Sequence, residues 1–327
     1  RWGAMQADGV TFTAFDTTDL WAGLFYDDQA IDDTTINYLK NSVVEYATNG
    51  VRTEGSAPTI TNTTFRYNTD GIESDNNSQP NLSGNTFIEN ERPILVHADD
   101  IRGGIYGNSY TNNTKNYIEV VSSHLSEHYN NVDYYWRNDG APYVVTATFD
   151  IYRNETNNDN SMDRRSVLRI EEGTEIQFYP DQGLNIGNNP NSRWGAMQAD
   201  GVTFTAFDTT QLWAGLFYDD QAIDDTTINY LKNSVVEYAN RGVYWENSIP
   251  LIRNNHFKNN ATSIEVYASF IRGNNKNNNF TNNEKNYIRV LPNHLSEHYN
   301  NVDYYWRNDG VPYVVTATFN IYRNDNS

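Results

Sequence analysis

The chain has 327 residues, a formal net charge of -19 and a mean hydropathy of -0.74, with 38% hydrophobic residues. So large an acidic excess excludes a nucleic-acid partner, because phosphate contacts need clustered Lys and Arg, and it disfavours anionic lipid. The chain has no cysteine, which excludes disulfides and thiolate metal sites, and no window approaches the ~20 apolar residues that insert into a membrane.

In chain order, residues 1–26 alternate the apolar bursts VTFTAF and LWAGLFY with Asp, Thr and Gly, a strand-and-turn pattern. The runs INYLKNSVVEYATNGV, SAPTITNTTFRYNTDGI, QPNLSGNTFIENERPILV and GNSYTNNTKNYIEV follow, each with two or three inward candidates between Asn and Gly. A period of 22 residues relates Pro58 to Pro80, Ile60 to Leu82, Phe65 to Phe87, Asn68 to Asn90 and Ile72 to Ile94. That length suits one coil of a β-solenoid. Asn68, Asn90 and Asn113, and in the second half Asn260 and Asn283, keep a spacing of 22 or 23. Asn tolerates left-handed backbone, so these residues are expected at coil corners, with their amides stacked in ladders. Asn62, Asn76, Asn81, Asn112, Asn154, Asn260 and Asn279 also head N-x-Ser/Thr sequons, most of them accidental in so Asn- and Thr-rich a chain.

The segment HLSEHYNNVDYYWRNDGAPYVV breaks this rhythm and reads as a crossing between stacks, after which VLRIEEGTEIQFYPDQGLNIG opens a new one. The expected division is therefore a first stack at 1–123, a connector or cap at 124–165, a second stack at 166–293 and a further connector at 294–327. Long-range repetition supports it. RWGAMQADGVTFTAFDTT at 1–18 returns at 193–210, an offset of 192, whereas HLSEHYNNVDYYWRNDG at 124–140 returns at 294–310, an offset of 170. The second copy is thus shorter by 22, one coil lost with the register kept. Residues 162–192 have no counterpart before residue 1 or after 327, so the sequence reads as a window on a longer array.

SAPTITNTTF and NSIPLIRNNHF resemble the parallel β-helix repeats of the pectin-lyase-like superfamily. VLRIEEGTEIQF, GAMQADGVTFTA and LWAGLFY resemble repeats in large bacterial and archaeal cell-surface proteins. The resemblance implies an all-β, right-handed parallel β-helix in two tandem stacks, at an extracellular or cell-surface location. It leaves function open, because that superfamily contains lyases, glycosidases, adhesins and scaffolds alike.

Several constellations carry candidate chemistry. HLSEH, with His124 and His128, repeats with His294 and His298 and fits the H-x-x-E-H spacing of a zinc site, though its surroundings lack helical length and a third ligand. YDDQAIDD supplies Asp27, Asp28, Asp32 and Asp33, repeated as Asp219, Asp220, Asp224 and Asp225. These could give oxygen ligands to Ca²⁺, but solvated acidic turns explain them as well. Tyr134, Tyr135 and Trp136, with Tyr304, Tyr305 and Trp306, could stack on sugar rings or cap a coil end. For a lyase, the resemblance implies an Arg or Lys base, with Arg102, Lys115, Arg272 and Lys285 as candidates, none of them in a recognisable cluster.

Two functions remain. One is a structural rod, adhesin shaft or filament whose partners are copies of itself end to end. The other is a polysaccharide-binding or polysaccharide-degrading module, which a non-repeated acid or base set would favour.

Overall fold

The computed structural model describes residues 3–28, 30, 35–75, 78–121, 124–127, 132–153, 165–187, 194–220, 222–293, 295 and 304–321. Its regular structure is parallel β-strand throughout, apart from the short 3-10 turns Ala98–Asp100 and Ala268–Phe270. The chain forms two compact units, residues 1–123 with 134–146, and residues 124–133 with 147–327.

In the first unit each coil gives one short strand to each of three sheets. The coil Thr59–Thr61, Thr64–Arg66 and Asp70–Asp75 is followed by Asn81–Ser83, Thr86–Ile88 and Arg92–His97. Like residues pair directly: Ile60 lies opposite Leu82, Phe65 opposite Phe87 and Ile72 opposite Ile94. The expected period of 22 is therefore the rise from one coil to the next. Inward columns run Leu39, Ile60, Leu82, Ile105 and Val51, Ile72, Ile94, Ile118, all buried. Phe65, Phe87 and Tyr110 stack at centroid distances of 5.2 and 5.4 Å.

The corners explain the asparagines. Asn41 and Asn62 hold φ of 50° and 52° at one corner, and Gly84 and Gly107 take over that column at 67°. Tyr46, Tyr67, Glu89 and Asn112 hold positive φ at the next. Just after that second corner the expected ladder forms, with Asn68 N–H and Nδ2 both donating to Asn90 Oδ1, and Asn90 likewise to Asn113. These amides satisfy buried backbone groups that the turn would otherwise strand. A second ladder, Asn85 to Asn108, follows the first corner and ends on Asp139.

The second unit repeats the plan. Its strands Thr203–Ala206, Val235–Glu237, His256–Lys258 and Asn279–Thr281 match the five-stranded sheet of the first unit with one coil fewer, as the 22-residue gap requires. Phe257 pairs with Phe280, and the ladders recur as Asn255 to Asn278 and Asn260 to Asn283. Asn260 is 1% exposed, which removes that sequon from the surface.

The segment expected to connect the stacks holds four strands among its described residues: Leu125–Glu127, Val132–Trp136, Tyr143–Val145 and Phe149–Arg153. Tyr143–Val145 pairs with Ile118–Val121, and Phe149–Arg153 pairs with Gly183–Ile186, so these strands continue the parallel sheets of their own units.

Candidate functional site

Two kinds of surface stand out, the edges where coil stacking stops and the outward faces of the longest sheets. At the first edge, Gly3 to Tyr26, no strand lies below Gln6–Asp8, Thr11–Phe12 or Leu24–Tyr26 among the described residues. A cleft of about 370 Å³ opens there between Ala4, Met5, Leu24 and Tyr26. Val10 is 39% exposed, Phe25 56%, and Phe15 is fully in solvent. The same sequence at 195–218 is covered: Ala196, Met197 and Phe204 are wholly buried and Val202 is 1% exposed. The covering rung is Ser166–Ile170, Glu175–Phe178 and Gly183–Ile186. A similar contrast marks the other edge. Val144, Val145 and Ile151 are wholly buried, while Val314, Val315 and Ile321, in nearly the same sequence, are 37%, 41% and 78% exposed.

The outward face of the longest sheet in the first unit is charged. Asp75 accepts from Arg52 at 3.3 Å and pairs with His97 Nε2 at 3.1 Å, and Arg92 bridges Asp70 and Glu119. Behind this face runs a buried polar column, Thr53 Oγ1 donating to Ser74 Oγ and Ser74 Oγ to Asp100 Oδ2. Asp100 is 3% exposed and its Oδ1 has no partner. Burial, reinforced by Asp99, pushes its carboxyl up to about 8, so it is largely protonated at neutral pH. The second unit does not repeat this column. Trp245 stands at the position of Thr53 and Phe270 at that of Asp100, with Trp245 Nε1 donating to the Phe270 carbonyl. Its outward face is aromatic instead. Phe217 stacks on Tyr244 at 4.8 Å, Arg241 lies over Tyr244, and Tyr267 borders a hollow with Glu246, Asn247 and Phe270.

The sequence candidates fall as follows. Tyr134 and Trp136 are buried in the core, which leaves neither ring a face for a sugar, and Tyr135 is half-buried under Arg137. Arg137 donates to the Gly103 carbonyl, Tyr143 Oη donates to the Arg137 carbonyl, and Asp139 ends the Asn85–Asn108 ladder. The segment is a clamp across the coil edge. Tyr304, Tyr305 and Trp306 repeat it through Arg307, more exposed, with Tyr305 at 55%. Arg102 and Arg272 donate to the Asp99 and Ser269 carbonyls and lie over Tyr134 and Tyr304. Lys115 pairs with Glu119, and Lys285 opens a strand beside Thr262.

His124 pairs with Asp150 at 3.2 Å, while His128, His294, His298, Asp32 and Asp33 lie outside the described residues. Asp27, Asp28 and Asp220 are exposed. Asp224 accepts from the Ile249 N–H, and Asp225 caps a turn at Thr227, whose hydroxyl and N–H hold its carboxyl below the usual range. Burial raises the carboxyl of Asp219. Among the described residues no three His, Asp or Glu side chains converge as metal ligands, and no helix is long and apolar enough to cross a membrane. Sequence reading missed Asp75, His97 and Asp100, and also Phe217, Tyr244 and Tyr267. Aligning ILVHADD at 94–100 with IEVYASF at 264–270 carries the signal for the acids, because the two copies part company there.

A family model described as "NosD: Periplasmic copper-binding protein" matches residues 5–148. None of the curated proteins and none of the solved structures matches the chain significantly. Fold and match together make the chain a parallel β-helix repeat protein.

Proposed function

We propose that this chain is an extracytoplasmic structural module, a stiff β-solenoid spacer that lengthens by stacking further coils on its open edges. The observation that carries the reading is the pair of environments adopted by one sequence. Met5, Val10 and Leu24 are open at 3–26, whereas their counterparts Met197, Val202 and Leu216 lie buried beneath another rung, while Phe207 and Phe217 stay partly exposed as Phe15 and Phe25 do. An open edge of parallel strands is a template for further pairing, and terminal repeats that remain free in solution normally carry a polar cap. The loss of one coil with full retention of register also suits a spacer, whose length can change while its stacking rule cannot. A location outside the cytoplasm is supported by the description of the matching family as periplasmic.

Copper does not fit the described residues. Copper sites draw on His, Met and Cys. The chain has no Cys, Met197 is wholly buried, Met5 has neither His nor a second Met beside it in its cleft, and no group of three His, Asp or Glu that could hold a metal is present among the described residues.

The test is association. Sedimentation velocity and negative-stain microscopy over a range of concentration should show end-to-end chains of modules, and Leu24→Asp should return them to single modules with an unchanged far-UV spectrum. Single modules at every concentration would sink the reading. A second reading, polysaccharide binding, draws on the half-buried Phe217 and Tyr267, both against Tyr244, over which Arg241 lies, and on the non-repeated acids of the first unit. Glycan-array binding that is lost in Tyr267→Ala would favour it.

A further inference from the structure

One corner of the second unit is built from three successive coils. Glu246 continues the strand Ala239–Trp245, Tyr267 ends Thr262–Tyr267 one coil above it, Phe270 belongs to the turn Ala268–Phe270, and Asn293 follows Lys285–Leu291. Together with Asn247 they line a hollow of about 220 Å³. Its lining is held from behind. Tyr244 Oη donates to Glu246 Oε2, Trp245 Nε1 to the Phe270 carbonyl at 3.3 Å, and the Ser269 N–H to Asn293 Oδ1 at 2.8 Å, while the Tyr267 ring lies 6.5 Å from that of Tyr244.

The two copies balance charge differently at this corner. In the first, the carboxylates have cations supplied by the chain itself: Glu54 lies 3.8 Å from Arg52, and Asp75 is paired with both Arg52 and His97. In the second, Tyr244 replaces Arg52 and Tyr267 replaces His97, yet Glu54 is kept as Glu246. Arg241 and Arg289 both pair with Glu265, and among the described residues no Lys, Arg or His pairs with Glu246. Asp219, one coil below Glu246, adds a second carboxylate to the same field; burial raises it, and Asp220, Glu246 and Asp150 raise it further. Two cations have thus been exchanged for rings around a retained acid. A metal ion does not suit the set, since no three His, Asp or Glu side chains converge among the described residues. A primary ammonium brings three N–H donors that each need an acceptor, and Glu246 Oε2 and Asn293 Oδ1 already accept from Tyr244 and Ser269. A methylated ammonium needs none. It gains instead from aromatic rings and a nearby carboxylate.

We propose that this hollow binds a quaternary ammonium group, a trimethylammonium head of the choline type, with Tyr267 and Phe270 against its methyl groups and Glu246 as its counter-ion. The net charge of -19 favours the approach of a cation. The site is independent of the spacer reading, because it lies within the coil stack and not at an edge.

Calorimetric titration with choline at fixed ionic strength tests this. Choline should saturate one site per chain, because His97 and Asp100 stand at the ring positions in the first unit. Its uncharged isostere, with a tert-butyl group in place of trimethylammonium, should bind about tenfold more weakly. Tyr267→Leu keeps an apolar side chain and removes the ring, and should weaken choline about fivefold, with Glu246→Gln close behind. Tyr267→Phe should bind as the parent chain does, which separates loss of the ring from loss of the fold. If the chain also sediments with phosphatidylcholine vesicles and Tyr267→Leu does not, the head group belongs to a lipid; choline binding without such sedimentation assigns a free solute. Equal affinity for choline and its isostere, choline binding that Tyr267→Leu leaves unchanged, or no saturable binding at all overturns the proposal.

Discussion

The sequence GAMQAD forms a three-residue strand, Gln6–Asp8, in the first unit and a six-residue strand, Gly195–Asp200, in the second. VTFTAF gives the two-residue strand Thr11–Phe12 in one place and the four-residue Thr203–Ala206 in the other, and LWAGLFY gives three residues, Leu24–Tyr26, against six, Trp213–Tyr218. Nothing local differs. The covered copy has a rung beneath it and the open copy has none among the described residues, so a neighbouring edge doubles the strand length that intrinsic propensity alone sustains. β-Propensity in this fold is a statement about neighbours.

The sharpest way to break this comparison is to remove the same ring from both copies. Phe204 is wholly buried between Ile176 and Val236, so Phe204→Ala should cost about 3–5 kcal/mol, the usual loss for a core aromatic. Phe12, half-buried, has Val44 on one side only, and Phe12→Ala should cost less than half as much. Urea titration of the two variants measures it. Equal losses would mean that the open edge is packed as tightly as the covered one.

A second contrast separates the units by pH. The Asp100 carboxyl is raised in the folded protein from 3.8 to about 8. Below the unfolded value both states are protonated and the native state keeps its full stability. As pH rises from about 4 to about 8 the unfolded chain releases this proton and the folded chain holds it, so stability falls through that window and levels off above it. Asp100→Asn should flatten the profile and gain roughly 1–3 kcal/mol at pH 8, the scale of a buried polar penalty removed. The second unit, with Phe270 at that position, lacks this contribution. Thermal unfolding at pH 5 and pH 8 decides it, and a profile equally steep in the variant would remove Asp100 as the cause.

The ladders sharpen the comparison at the level of one amide. Asn90 donates twice to Asn113 and once to the Phe65 carbonyl, while its own Oδ1 accepts from Asn68. Asn90→Ala strands the Asn68 N–H inside the coil and should cost about 1–3 kcal/mol. Asn260→Ala should match it, since Asn260 makes the same bonds to Asn283 and Val236.

What was legible in the sequence follows the same physics. Inward columns repeat their residue types at one period, so Phe65, Phe87 and Ile72 declare the coil without reference to anything outside it. The Asn68 ladder showed in the spacing of its asparagines, although not for the expected left-handed backbone, which at that corner is held by their neighbours Tyr67, Glu89 and Asn112. The Asn85 ladder was hidden because Thr63, Ser42 and Asp139 fill its other steps, so that no single letter recurs. The aromatic clamp left two alternatives open in the sequence, a sugar platform or a cap on the coil end. Composition alone does not choose between them; the return of the chain over Gly103, which buries Tyr134 and Trp136, appears only in the folded coil. The acids at Asp75 and Asp100 lie 25 residues apart and meet through stacking, which no local window reveals.

The clamps themselves offer the finest test, since they repeat RNDG with different company. Arg137 lies over Tyr135 at 4.9 Å and Tyr106 at 5.1 Å, and donates to the Gly103 carbonyl at 2.9 Å. Arg307 lies over Tyr305 at 4.5 Å and donates to Gly273 at 3.1 Å, but Lys276 stands where Tyr106 stands in the first copy. A cation against a ring contributes about 0.5–1 kcal/mol near the surface, whereas a cation beside a cation contributes nothing favourable. Arg137→Ala should therefore cost roughly 1–2 kcal/mol and Arg307→Ala under about 1. Introducing Tyr by Lys276→Tyr should raise the second value toward the first, because it supplies the missing ring and removes the repulsion. If Lys276→Tyr leaves the cost of Arg307→Ala unchanged in a double-mutant cycle, the clamp owes its strength to the backbone bond to Gly273 and not to the rings.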